Sequence, residues 1–227
     1  MLFNDPFTSR DHSFMKETLE SLTAKYTTTT TTTTVDVNAL LRDHLRLLNG
    51  DVTAIVTLFD FGYGEVPAHR HINSNGKLGG WVANTAFVES TVFVGSDAKV
   101  FGNAQMFGQA RVSGTAKVFG NAHVSGTARV FGIAQVFGQA LVYDKAKVSD
   151  SAQVFGNVQV YGKARVFGQT QVYGKARVFG HAQVYGDAQV FGDALVYDKA
   201  QVCGNAQVYG QTRVFETQKI STPTKIG

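Results

Sequence analysis

Imidazoles are the side chains here best suited to proton transfer or metal ligation, because histidine titrates near neutrality and binds zinc through a ring nitrogen. His123 and His181 are weak candidates for a general base, and a polar residue tolerated on a wet surface is the reading each fits better. His69 and His71, in AHRHINSNG, stand two apart in the chain and would share one side of a strand. As zinc ligands they fall short of the three or four that the metal takes, and they also suit a loop packed against its neighbours. The single cysteine, Cys203, offers neither an intrachain disulfide nor a cysteine cluster. GYG at 62–64 lacks the long spacing and Lys-Ser/Thr ending of a phosphate loop. No cofactor is expected from these groups. Cations supply another candidate: Lys145, Lys163, His181 and Lys199 recur at spacing 18, with Arg177 and Arg213 beside them. Like charges stacked ~5 Å apart repel by about 1 kcal/mol in water. A bound polyanion, nucleic acid or acidic polysaccharide, would relieve that; so would the neighbouring Asp144 and Asp198 together with solvent.

These side chains are positioned by a repeat. From Gly79 onward the chain reads in sixes without a slip, as x-Ala-x-Val-aromatic-Gly. Of 25 central positions 22 are Val; the others are Met106, Ile220 and Ile226. Ala and Val lie two apart and face one side of an extended strand, so they form the core. The slot between them (Lys99, Arg111, Lys117, His123, Arg129, Gln135) faces water. Glycine closes each hexad because a left-handed backbone is cheap there, and Asp144, Asp150 and Asp198, in its place, tolerate that region.

Outward residues sort by type at spacing 18: Gln135, Gln153, Gln171, Gln189 and Gln207 form one column, and Arg111, Arg129, Lys147 and Arg165 another. Three hexads therefore make one coil of a triangular prism, and about eight coils make a rod on the order of 40 Å long. His123 and His181 fall more than three coils apart and cannot meet within one subunit. The aromatic slots form ladders. Phe101, Phe119, Phe137, Phe155, Tyr173, Phe191 and Tyr209 line one edge, and Phe107, Tyr143, Tyr161, Phe179, Tyr197 and Phe215 a second. Ring stacking stabilises the coils, while so much apolar edge is also expected to meet a partner or a second subunit.

Residues 1–78 differ. Met15, Leu19, Leu22 and Tyr26 share one helical face, as do Val37, Leu40, Leu41, His44, Leu45 and Leu48, with an octathreonine run at 27–34 between them. DVTAIVTLFDF (51–61) reads as a strand and GYGEVPAHRHINSNG as a loop. The outward slots of the first coil hold Trp81, Phe87 and Phe93 where later coils carry mostly Lys, Arg and Gln. A small α+β cap, residues 1–78, is therefore expected to fold over the start of a β-helix spanning 79–227.

The hexads DAKVFG, NAHVSG and SAQVFG resemble the hexapeptide-repeat left-handed β-helix superfamily, and most of all its very regular bacterial and phage solenoids. The resemblance covers 79–227 and implies a left-handed parallel β-helix. It also implies a trimer and, as in the acyltransferases of that superfamily, a catalytic His beside a loop that interrupts the coils. No such loop breaks the register here. The favoured expectation is thus a non-catalytic solenoid that oligomerises and presents regular faces to a polyanion or a virion or host component. The alternative is an acyltransferase with an intersubunit site using His123 or His181. A formal charge of +4 is too mild for a dedicated nucleic-acid binder. Without a secretory signal or an apolar run of ~18–20 residues, the protein is expected in the cytoplasm or on a virion, with no membrane partner.

Overall fold

The computed structural model describes residues 57–221 and the backbone of Lys225–Ile226. The two expected helices, the octathreonine run and the start of the expected 51–61 strand lie outside the described residues. Three strands open the described chain: β1 (Leu58–Asp60), β2 (Glu65–Ile72) and β3 (Leu78–Ala83). They form an antiparallel meander. From there each hexad contributes one two-residue strand, beginning with Phe87–Val88. Each such strand pairs in parallel with the one three hexads further on, as Val124 does with Val142 and Val136 with Val154.

Three sheets result. The first side carries β1, β2 and β3 and then the strands from Lys99–Val100 to Lys225–Ile226. The second runs from Phe87–Val88 to Arg213–Val214, and the third from Phe93–Val94 to Lys219–Ile220. Residues 79–221 with Lys225–Ile226 thus form an all-β parallel solenoid of about eight turns, with three hexads to each turn. There is no helix among the described residues.

The parity of the hexad decides what is inside. Every Ala and Val slot from Ala98 to Val208 is fully out of water, including Met106 and the two residues in Ala places, Val158 and Thr170. The Thr170 hydroxyl donates to the Phe167 carbonyl at 3.3 Å, so no polar atom is stranded. Strands of two residues suffice because coil-to-coil bonding continues around the corner. Gln135 N–H donates to Ala152 O, Phe137 N–H to Val154 O and Gln139 N–H to Gly156 O, at 2.9–3.0 Å. From Gly102 to Glu216 every corner residue is left-handed, with φ of 54–58° at Asp144, Asp150, Asp198 and Glu216 where Gly is replaced.

The stretch expected to be a loop is mostly strand, since β2 occupies Glu65–Ile72. The reason is the outer edge of β3, whose backbone groups need a partner that this segment is long enough to supply. GYG makes the turn into it: Asp60 Oδ1 accepts from the N–H groups of Gly62, Tyr63 and Gly64 at 2.7, 3.1 and 3.0 Å. These bonds hold the exposed Asp60 carboxyl below its usual pKa range, the one from Gly62 foremost.

Among the described residues no strand precedes Phe93–Val94 on the third side, and side chains close its edge instead. Asn73 Oδ1 accepts from Val94 N–H at 2.8 Å, and its Nδ2 donates to Val94 O at 3.0 Å. His71 Nε2 lies 3.0 Å from Val92 O, and since a carbonyl only accepts, Nε2 carries the proton.

Candidate functional site

The structure does not gather the histidines. His123 is half-buried on the second side between Gln105 and Leu141, and His181 is exposed on the corner between the second and third sides. They remain more than three coils apart. His69 and His71 do not share a face as strand alternation predicted, because the pairing of β2 with β3 shifts register between Arg70 and Ile72. This bulge turns His71 into the interior while His69 stays exposed, its Nδ1 2.9 Å from Asn84 Oδ1. Burial, the largest cause, pushes the His71 pKa below its usual value. No cluster of three or more His, Cys, Asp or Glu residues suited to a metal ion occurs among the described residues.

Trp81, Phe87 and Phe93 have three different surroundings. Trp81 stacks on Phe59 of β1 at 4.4 Å, with the Arg70 guanidinium over its ring at 5.5 Å. Phe93 lies beneath the Arg111 guanidinium at 4.3 Å. Phe87 is 55% exposed and touches Phe107 at 5.3 Å. Docking of the expected N-terminal helices onto these rings lies outside the described residues.

The seven-ring ladder is continuous. Neighbouring rings from Phe101 to Tyr209 lie 4.7–5.2 Å apart and within 11° of parallel. Phe61 extends it downward by stacking on Phe101 at 4.9 Å. Tyr143, Tyr161, Phe179, Tyr197 and Phe215 form the second ladder, whereas Phe107, expected in it, is cut off by Ser125 on the intervening coil and meets Phe87 instead. In both, ring faces are spent on one another and the edges meet solvent. Most of the exposed large apolar residues, Tyr63, Ile72, Leu78 and Phe87 among them, belong to the opening meander and first coil; Phe107 and Ile133 lie on later coils.

Charge is where the surface departs most from uniformity. Lys145, Lys163, His181 and Lys199 are exposed on successive coils of one corner. Their backbone N–H groups donate to the corner carbonyls of the next coil at 2.6–2.9 Å. The neighbouring carboxylates are engaged along the axis, Asp144 accepting from Gly162 N–H at 3.1 Å and Asp198 from Glu216 N–H at 3.2 Å. Arg177, on the second side, donates from Nη2 to the Tyr161 hydroxyl at 2.9 Å. Arg213 is on the same side, with Leu195 between the two.

A second row, singled out in the sequence only for its spacing, completes this surface. Arg111, Arg129, Lys147 and Arg165 are consecutive partners on the third side, and all four are exposed. Arg129 and Arg165 lean over Phe131 and Phe167 at 5.6 and 5.1 Å. The signal was present in the sequence: positions 99–186 hold ten Lys and Arg against two carboxylates, Asp144 and Asp150. Averaging charge over the whole repeat hid it. Elsewhere, a shallow groove of about 590 Å³ opens on the first side between Phe59, Trp81, Arg70, Asp97, Lys99 and Lys117.

Comparison with known families places residues 182–198 and 188–204 in similarity to a model described as the YdcK beta solenoid repeat. No curated protein and no solved structure matches the chain. A repeat β-solenoid is what both the coordinates and this similarity support.

Proposed function

We propose that the protein is a non-catalytic binding solenoid that assembles with itself, as a trimer, and presents its basic side to a polyanion, whether free or part of a virion or host surface. The observation that carries the reading is the cluster of exposed cations on the third side and its adjoining corner, Arg111, Arg129, Lys147 and Arg165 with Lys145 and Lys163, on coils that no loop interrupts. A polyanion releases counterions when such a surface binds it, so the interaction weakens steeply with salt. Apolar exposure in the opening meander and first coil supports self-association, and the trimer follows from the resemblance of the hexads.

Two measurements test this. Light scattering should give three times the chain mass of 24.5 kDa, and retention on immobilised polyanions should be strong at low salt and lost at high salt. A monomer that ignores every polyanion at low salt removes the reading. Turnover of acetyl-CoA that depends on His123 or His181 would replace it with acyl transfer at an intersubunit site.

A further inference from the structure

The row of cations on the third side has a repeat of its own. Arg111, Arg129, Lys147 and Arg165 stand directly above one another, one per coil. The coil spacing is visible in the stacked rings, whose centroids recur at 4.7–5.2 Å. The row is straight, because every pairing advances by three hexads without a register shift. Lys145 and Lys163 border it on the adjoining corner, just before Lys147 and Arg165 in the chain. Its arginines are held over ring faces by Phe93, Phe131 and Phe167, so less side-chain freedom is lost when they bind.

Deepening the polyanion reading, on which it rests, we propose that the third side binds a linear acidic polysaccharide, a hexuronan with one carboxylate per sugar, laid along the solenoid axis over Arg111, Arg129, Lys147 and Arg165. One pyranose is about as long as one coil is high, so such a chain offers one carboxylate per cation. Single-stranded nucleic acid fits less well. Its non-specific binders supply ring faces on which bases stack, and the ladder faces here are already taken by neighbouring rings. A duplex carries phosphates on curved strands at about 3.4 Å per step, out of phase with a straight row of this spacing.

The test compares polygalacturonate with its fully methyl-esterified form and with oligothymidylate of equal charge, titrated against the full chain at several salt concentrations. The variant R111Q/R129Q/K147Q/R165Q is built from a residue that the same column already holds at Gln183 and Gln201. An unchanged thermal midpoint would report an intact fold. Polygalacturonate should bind more tightly than oligothymidylate, and the ester should not bind. The variant should lose at least tenfold in affinity, with a flatter dependence of log K on log salt. K99Q/K117Q, on the first side, should bind as the parent does. Oligothymidylate binding as tightly as polygalacturonate, or a folded quadruple variant with parental affinity, overturns the assignment while leaving the polyanion reading intact. Failure of polygalacturonate, oligothymidylate and dextran sulfate alike to bind at low salt overturns both.

Discussion

At a corner of the solenoid one residue decides both the turn and the fit to the next coil. Gly138 has φ of 72°, and a Cβ placed there would lie 2.8 Å from the backbone nitrogen of Gly156. Gly138→Ala therefore combines left-handed strain with a backbone collision, a loss of about 1–3 kcal/mol read by chemical denaturation. Asp144 and Asp150 indicate how the position tolerates a side chain, since their carboxylates accept the next coil's N–H at 3.1 and 3.0 Å. Gly138→Asp should accordingly cost about 1 kcal/mol less than Gly138→Ala; equal losses would show that the carboxylate contributes nothing. His71 makes a second residue-scale case. Its pKa is depressed in the folded chain by burial, with the nearby His69 adding to the effect. On acidification the unfolded chain protonates first, near pH 6.5, so stability falls as pH drops below that value toward the folded pKa. Between pH 7.5 and 5.5 the thermal midpoint should drop further for the parent than for His71→Gln, which keeps a donor for Val92 O without a titrating ring. Parallel drops would remove His71 as the cause.

The opening meander and the coils solve the same edge problem by different means. β2 covers the first side with backbone, while Asn73 covers the third with a side-chain amide that acts as one peptide group toward Val94. Asn73→Leu would leave both Val94 groups unpartnered at a buried position, at about 1–3 kcal/mol for each group. Val94 N–H should then exchange with solvent faster by tenfold or more, with amides in the last coils unaffected. The contrast between these elements explains what the sequence disclosed. Inside the repeat, parity is tested anew in every hexad, so core, corners, the Gln column and the seven-ring ladder were legible, and the second ladder was legible from Tyr143 onward but not at Phe107, which Ser125 separates from it. Outside it, EVPAHRHI occurs once, and its register shift breaks the alternation that would mark it as a strand. The same bulge is why His69 and His71 could not be separated beforehand. The third-side cations were legible as a column but not as the proposed binding face, because membership of such a face depends on which corners adjoin it. Left-handed winding remains what the resemblance implies.

For the solenoid as a whole, stability is organised along one axis. Each coil bonds only the coils above and below it, so its free energy is close to a sum of coil and interface contributions. The core is built almost entirely from Ala and Val, each fully buried from Ala98 to Val208, with no large residue spanning several coils. Damage should therefore stay local. Val154, paired with Val136 below and Val172 above, lies midway along the first side. Val154→Ala should cost about 2 kcal/mol through lost burial and the cavity left behind. In a domain that unfolds all at once, every protected amide would lose that same amount. Here the loss should be largest in the coils holding Gln135, Gln153 and Gln171 and should fade by Val208, where protection stays at the parental level. Residue-resolved hydrogen exchange on the parent and variant decides between the two. Uniform loss of protection from Val100 to Val208 would show that the coils fold as one cooperative block, and that a binding face built along them stands or fails as a unit.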